Sequence, residues 1–117
     1  MNDDKKFFDI FLGIDLGFTG ALVAIDTDGK VFFLEDMPIK DTIVADKQRK
    51  LLDLDKIERL FFNFLQMTQG LEVLIIIEKP VYGWMVNVNS TAHMFYAFGI
   101  FEMMARRYKC DYITPNA

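Results

Sequence analysis

The first third of the chain alternates short apolar runs with polar turns, a pattern that predicts strands. Residues 9–15 form a β-prone run that stops at a turn containing two glycines, residues 16–20. Residues 21–25 and 30–34 are two further apolar runs, and the Asp28-Gly29 pair between them is expected to supply the positive φ values of a tight hairpin. Two consecutive short links predict an antiparallel meander of three strands.

The middle of the chain changes to helical spacing. Residues 38–52 are predicted to be a polar connection, and Asp53 is predicted to be the N-cap of a helix. The apolar side chains of that helix recur on one face, namely Leu54, Ile57, Leu60, Phe61, Phe64 and Leu65, with Gly70 beyond its end. Residues 73–77 are apolar on both faces, which is typical of a central parallel strand.

The last elements complete an α/β order. A second helix is predicted from Asn89 or Ser90 to about Tyr108, followed by a short strand over residues 111–114. A helical crossover lets the fourth strand lie beside the first. We therefore predict one α/β domain over residues 1–117. Its mixed five-stranded sheet has strands 1–3 antiparallel and strands 4 and 5 parallel to strand 1. Helices on the sheet faces would make it a three-layer fold.

Two carboxylates follow neighbouring strands of this predicted sheet. Asp15 ends the first strand and Glu78 ends the fourth. If these strands are parallel neighbours, about 4.8 Å apart, both carboxylates should project from the same edge of the sheet. Two such carboxylates repel each other, and a hard divalent cation relieves the repulsion. Phosphate chemistry with paired Mg²⁺ ions is the natural use of such a site. An ordinary strand-ending role for each acid stays open on spacing alone.

Composition limits the class of protein. Among the 117 residues, 52% are hydrophobic, which is enough apolar surface for one folded domain and excludes a disordered chain. A single cysteine, Cys110, excludes an intramolecular disulfide, and the polar start of the chain favours the cytoplasm. No run within residues 80–101 approaches the roughly 18 apolar residues of a membrane span. The net charge of −4 gives no general help in binding nucleic acid.

Two motifs resemble a known family. Residues 13–20, GIDLGFTG, followed by ALVAI, resemble the opening of the ribonuclease-H-like superfamily. Residues 75–80, IIIEKP, are similar to the strand that carries the second acid in RuvC-type Holliday-junction resolvases. The helix around Gly99 resembles the family's next helix, where a glycine allows close approach to a neighbour. The closing residues 113–117, ITPNA, resemble the fifth strand and its exit in phage-type members.

The resemblance implies an activity and a set of partners. It implies a structure-selective endonuclease that hydrolyses phosphodiester bonds of branched DNA, such as a four-way junction, with two Mg²⁺ ions or with Mn²⁺ in their place. Asp15 would bridge the two metals and Glu78 would bind one of them. The family also implies a homodimer, located in the cytoplasm of a bacterial or phage-infected cell.

One feature of the family is missing from the sequence. Family members usually carry two further aspartates, three residues apart, on a C-terminal helix, and this chain ends before such a helix. The last acid, Asp111, lies at the start of the predicted fifth strand instead. We therefore expect weak or no cleavage by the 117-residue chain alone.

Several side chains are candidates for contacts with nucleic acid. Lys79 beside Glu78 could touch a phosphate, and Tyr82 and Trp84 in the following loop could stack on bases, which contributes roughly 1–3 kcal/mol per base. A basic cluster in the polar connection could contact phosphates, namely Lys47, Arg49 and Lys50. Each of these candidates also has an ordinary interpretation as a solvated side chain or a loop anchor.

The second helix region has its own candidates. His93, the only histidine, is expected to cap or pack, because no cysteine or second histidine accompanies it as a zinc ligand. A second basic cluster suits the negative end of the helix dipole or a phosphate contact, namely Arg106, Arg107 and Lys109. The apolar side chains of the helix predict core, with a dimer face as the alternative, namely Met94, Phe95, Phe98, Phe101 and Met104.

Two other functions stay open. Residues 15–20 are also similar to the first phosphate-binding turn of actin-like and sugar-kinase ATPases. The chain is too short for the two domains that enclose a nucleotide there, and it has no second Asp-x-Gly-Gly turn. A non-catalytic nucleic-acid-binding or dimerisation module of the same fold is the other alternative. The absent C-terminal acids favour it, whereas the presence of both Asp15 and Glu78 argues against it.

Overall fold

A computed structural model describes residues 6–80 and 88–116, with the backbone alone for residues 88–90. The elements in chain order are β1 (Ile10–Ile14), β2 (Ala21–Asp26), β3 (Val31–Asp36), β4 (Ile39–Val44), β5 (Lys47–Leu52), α1 (Leu54–Met67), β6 (Val73–Ile77), α2 (Val88–Arg107) and β7 (Asp111–Ile113).

The main sheet has five strands in the order β3-β2-β1-β6-β7. The meander β1-β2-β3 is antiparallel, and β6 pairs parallel with both β1 and β7. In the β1–β6 pairing, Ile14 lies opposite Ile77, so the two strands end at the same level. The predicted mixed α/β sheet, with the fourth main-sheet strand beside the first, is confirmed.

The turn between β2 and β3 is built around one aspartate. The carboxylate oxygen Oδ1 of Asp26 accepts hydrogen bonds from the backbone N–H groups of Asp28 and Lys30, both at 2.9 Å. Gly29 is left-handed at φ 81°, whereas Asp28 has no positive φ. The predicted hairpin is therefore confirmed, but Gly29 alone supplies the left-handed conformation.

Alternate residues of the main sheet face a single core. In β1 these are Ile10, Leu12 and Ile14, and they cluster with the aromatic side chains of both helices. The ring centroids of Phe61 in α1 and Phe101 in α2 are 6.3 Å apart, so the two helices touch each other. Both helices therefore cover the same face of the sheet.

The opposite face of the sheet has no helix on it among the described residues. Gly13 and Ile76 lie on this face, together with Leu34, which is 64% exposed, and Ile113, which is 48% exposed. The predicted three-layer arrangement is thus wrong for residues 6–80 and 88–116, which form two layers. The apolar sequence of β6 could not reveal this, because it looks the same whether one or both of its faces are covered.

The first helix follows its sequence pattern closely. Asp53 is the N-cap, and its Oδ1 accepts the backbone N–H of Lys56 at 3.1 Å. The apolar stripe faces the core through three buried side chains, Ile57, Phe61 and Phe64, while Leu60 and Leu65 are partly buried. Leu54 departs from the prediction because it is 43% exposed.

Residues 38–52, expected to be a polar connection, instead contain the whole of a second, two-stranded sheet. Strands β4 and β5 pair antiparallel around a two-residue turn. Both turn residues are left-handed, Ala45 at φ 51° and Asp46 at φ 63°, and neither is the glycine or asparagine that usually marks such a turn. The strands themselves are mostly exposed and polar, so they also lack the apolar alternation of a half-buried strand.

The second helix differs from expectation at both ends and at its glycine. It begins at Val88 and ends at Arg107, where the left-handed Lys109 lets the N–H of Cys110 donate to the carbonyl of Ala105 at 2.8 Å. Gly99 is exposed, and a Cβ there would meet nothing within 4 Å. The close helix approach that the resemblance implied at this glycine is therefore wrong. In the described part of the chain, neither helix has the length and hydropathy needed to cross a membrane.

Candidate carboxylate site and basic cleft

Asp15 and Glu78 leave the sheet side by side. Each comes one residue after the paired Ile14 and Ile77, and neighbouring strands lie about 4.8 Å apart. Because Ile14 and Ile77 are buried in the core, the residues that follow them lie toward the face without helices. Both carboxylates are exposed and line one cavity of about 440 Å³ at that edge. The expected meeting of the two strand ends is confirmed, and the chemical role of the two acids stays a prediction.

The turn after β1 fixes the position of Asp15. Its Oδ1 accepts the N–H of Gly17 at 3.3 Å, and its backbone N–H donates to the carbonyl of Ala21 at 2.9 Å. Gly20 packs directly on this backbone, since a Cβ there would lie 2.1 Å from the carbonyl oxygen of Asp15. At Gly20, the main chain of Asp15 occupies the space of the missing side chain, so this glycine leaves no room there for a ligand.

The described residues contain no group of three or more acidic, histidine or cysteine side chains placed to hold one metal ion. The strand register brings one further carboxylate, that of Asp36, to the same end of the sheet as Asp15 and Glu78. It pairs with Ala21, whose carbonyl bonds the N–H of Asp15, so it lies in the same row two strands away. Two strand spacings are about 10 Å, which is too far to share an ion with Asp15. The alignment of Asp36 with Asp15 could not be recognised from sequence, because it depends on the register of three strands.

Lys79 is exposed beside Glu78 and extends the pairing of β6 with β7. Its N–H donates to the carbonyl of Pro115 at 2.8 Å, and it bridges Asn116 in parallel. No ion pair involves Lys79 among the residues that the structure describes, so its ammonium is available to a ligand. Tyr82 and Trp84, the two aromatic candidates, lie outside the described residues.

The basic cluster lies on β5, and none of its three members lines the carboxylate cavity. Arg49 and Lys50 line a cleft of about 940 Å³ between the β4–β5 hairpin, the turn after β1, and α2. Lys47 lies at the start of the same strand, opposite Val44 and exposed, but does not line the cleft. The three cations are grouped in the sequence itself. The sequence does not indicate that Lys40 joins them from the neighbouring strand β4, or that Phe18, His93 and Tyr96 lie across the cleft.

His93 connects the cleft to the turn after Asp15. Its ring stacks on Phe18 with centroids 3.6 Å apart, and its Nε2–H donates to the carbonyl of Leu16 at 3.1 Å. Partial burial lowers the pKa of His93 from its ordinary value of 6.5, and the hydrogen bond to Leu16 opposes this effect only in part. The expected packing role of the histidine is confirmed.

One member of the second basic cluster, Arg106, has a role in the fold. The Nε–H of Arg106 donates to the hydroxyl of Tyr112 at 2.7 Å, and that hydroxyl donates to Glu102 at 3.3 Å. This chain of bonds ties the end of α2 to β7. Phe101 and Met104 are buried in the core, as the apolar pattern of the helix predicted.

Comparisons with known proteins add no family. No protein-family model matches the chain, and no curated protein matches it. The geometry of the two sites therefore carries the functional argument.

Proposed function

We propose that this domain is a metal-dependent endonuclease of the ribonuclease-H-like, RuvC-type class that acts on branched DNA. The observation that carries the proposal is the pairing of Ile14 with Ile77, which brings the carboxylates of Asp15 and Glu78 to one exposed cavity. The β3-β2-β1-β6-β7 order also supports it, because this mixed sheet is the topology that the resemblance implies.

The donor set fits magnesium. Mg²⁺ prefers oxygen ligands, and it is usually held by one or two carboxylates together with water and substrate phosphate. Asp15 and Glu78 supply two carboxylates, and their exposure leaves room for the remaining ligands. Bound Mg²⁺, or Mn²⁺ in its place, would activate water and stabilise the leaving oxygen of a phosphodiester.

The residues around Asp15 and Glu78 position the carboxylates and the substrate in this proposal. The N–H of Gly17 holds one oxygen of Asp15, so the other oxygen is available to a cation. Gly20 keeps the main chain of Asp15 in place by leaving it room. Lys79, exposed next to Glu78, contacts a substrate phosphate and offsets its charge.

Metal binding is the first test. Binding of Mn²⁺, followed by electron paramagnetic resonance, should be at least tenfold weaker in Asp15→Asn and in Glu78→Gln than in the unsubstituted domain. Asp28→Asn and Glu58→Gln are matched controls, because they remove one exposed carboxylate elsewhere. Equal affinity in all five proteins would refute the site.

DNA is the second test. A labelled four-way junction should bind more tightly with Mg²⁺ than with EDTA, and the gain should vanish in both site variants. Weak metal-dependent nicking, or none, is expected from the 117-residue chain, and robust nicking would contradict this expectation. Light scattering of the same samples tests the homodimer that the resemblance implies. Stabilisation of the domain against heat by ATP, with no response to the junction, would favour the ATPase alternative.

A non-catalytic module of the same fold is the second candidate. The observation that favours it is that only two carboxylates, with no third ligand, come together in the described part of the chain. Junction binding that ignores EDTA and survives both site substitutions would establish this alternative.

A further inference from the structure

We propose that the cleft between the β4–β5 hairpin and α2 binds an unpaired nucleic-acid strand. In this arrangement Phe18 and Tyr96 stack on bases, and Lys40, Arg49 and Lys50 contact phosphates. The identity of the strand as substrate rests on the proposed nuclease function, whereas the binding itself does not need the carboxylate site.

The charge of the cleft is opposite to that of the whole chain. Three cations line it, Lys40, Arg49 and Lys50, against one carboxylate, Asp55, although the chain carries a net charge of −4. Within the described residues the ion pairs are those of Lys6 with Glu72 and Asp111, so none of the three cations of the cleft forms an ion pair, although Asp41 lies opposite Lys50 in the hairpin register. Unpaired cations around a concave surface favour a polyanionic ligand.

The hairpin register sets the spacing of these cations. Lys40 pairs with Leu51, so Arg49 is its diagonal neighbour on the same face of the hairpin, about 7–8 Å away. Lys50 follows Arg49 along the strand, so its side chain starts from the opposite face of the hairpin. The spacing of Lys40 and Arg49 suits two neighbouring phosphates of one strand better than a single phosphate group.

The opposite wall of the cleft is aromatic. Tyr96 is 48% exposed and lies one helical turn after Ala92, so both face the cleft. Phe18 is held by its stack on His93 and is therefore already in place before a ligand arrives. Surfaces that bind single strands combine two components, aromatic rings on which bases stack and cations that contact the backbone. The cleft has both.

The aromatic wall distinguishes an unpaired strand from a duplex. Bases in a duplex are stacked on each other, so their faces cannot reach a side chain without being flipped out. A cleft that only neutralised a duplex backbone would need the cations and not the rings. The rings therefore favour unpaired nucleotides, such as those at a branch.

The cleft is also close to the proposed reaction site. Phe18 comes three residues after Asp15, so their Cα atoms are at most about 11 Å apart. The hydrogen bond from His93 to Leu16 attaches α2 to the same turn. A strand held on Phe18 thus lies at the edge of the sheet that carries both carboxylates.

The test is strand binding without metal. Fluorescence anisotropy of labelled dT12 in EDTA should show binding by the unsubstituted domain, and Tyr96→Ala should weaken it about tenfold. The double variant Lys40→Ala/Arg49→Ala should weaken it too and should reduce the slope of log K against log salt by about 1.4, or 0.7 for each phosphate that is no longer neutralised. Tyr96→Ala should leave that slope unchanged, which separates stacking from charge.

Controls and competitors decide the result. Lys30→Ala and Phe62→Ala remove an exposed cation and an exposed ring outside the cleft, and both should bind dT12 normally. Circular dichroism checks that each variant is folded. Equal affinity for a blunt duplex, displacement of dT12 by dTMP at equal nucleotide concentration, or equal displacement by polyglutamate would each overturn the proposal. Because EDTA excludes metal, failure here leaves the manganese test of Asp15 and Glu78 standing, and the converse also holds.

Discussion

Gly20 controls the position of Asp15 at the scale of a single residue. A Cβ at Gly20 would lie 2.1 Å from the carbonyl oxygen of Asp15 and 2.9 Å from that of Gly17. Both are backbone atoms, which cannot rotate away as a side chain can. We expect Gly20→Ala to destabilise the domain by about 2 kcal/mol or more, measured by urea unfolding, and to weaken Mn²⁺ binding by displacing Asp15.

Gly99 is the matched control for Gly20, because the same substitution to alanine is expected to have the opposite effect on stability. It is exposed within α2, and a Cβ there would meet nothing. Alanine has the higher helix propensity, so Gly99→Ala should stabilise the domain by up to about 1 kcal/mol in the same urea experiment. A loss of stability would show that α2 has a close neighbour at this position after all.

The β4–β5 hairpin is the element whose turn chemistry is least favourable. Ala45 and Asp46 both occupy the left-handed region, at a cost of roughly 1 kcal/mol for a residue with a Cβ. Ala45→Gly should stabilise the hairpin by about 0.5 kcal/mol, after allowance for the greater freedom of glycine in the unfolded chain. Amide hydrogen exchange of β4 and β5 should slow about twofold.

A second glycine provides the control for the hairpin. Thr42→Gly lies in the middle of β4, where a glycine weakens a strand, and should make the same amides exchange faster. If Ala45→Gly speeds exchange as Thr42→Gly does, the positive φ of residue 45 carries no cost.

The elements differ in how readily their sequences reveal them. Helix α1 could be predicted because Asp53 caps it and Ile57, Phe61 and Phe64 repeat at helical spacing. The hairpin could not, because Ala45-Asp46 is not a recognisable turn pair and its strands carry polar residues on exposed faces. A local sequence pattern therefore predicts an element only where burial of one face, or a turn that requires a particular residue, restricts which residues can occur.

At the scale of the whole molecule, we expect His93 to make the free energy of unfolding depend on pH. Its folded pKa is below the ordinary 6.5, so between these two values the unfolded chain binds more protons than the folded domain. The corresponding stability is fully present above about pH 6.5 and is lost as the pH falls below 6.5 toward the folded pKa. His93 is the only histidine of the chain, and histidine is the side chain whose ordinary pKa lies in this range.

The measurement compares two proteins across that window. The melting temperature of the unsubstituted domain should fall between pH 7.5 and 5.5, and His93→Gln should show a smaller fall. Glutamine can still donate to the carbonyl of Leu16 but does not titrate, so the slope matters rather than the absolute temperature. Parallel slopes would mean that His93 has the same pKa in both states.

The sequence by itself determined which strands carry the two acids. Residues 10–14 and 73–77 are apolar runs that end at Asp15 and Glu78, and the short links of the meander leave one edge of β1 free for β6. Only the tertiary structure decided that both helices share one face and that Phe18, the hairpin and Tyr96 enclose a cleft. The acids follow from patterns a few residues long, whereas the cleft joins segments up to 78 residues apart. No local periodicity records such a contact, because it forms only when the chain packs.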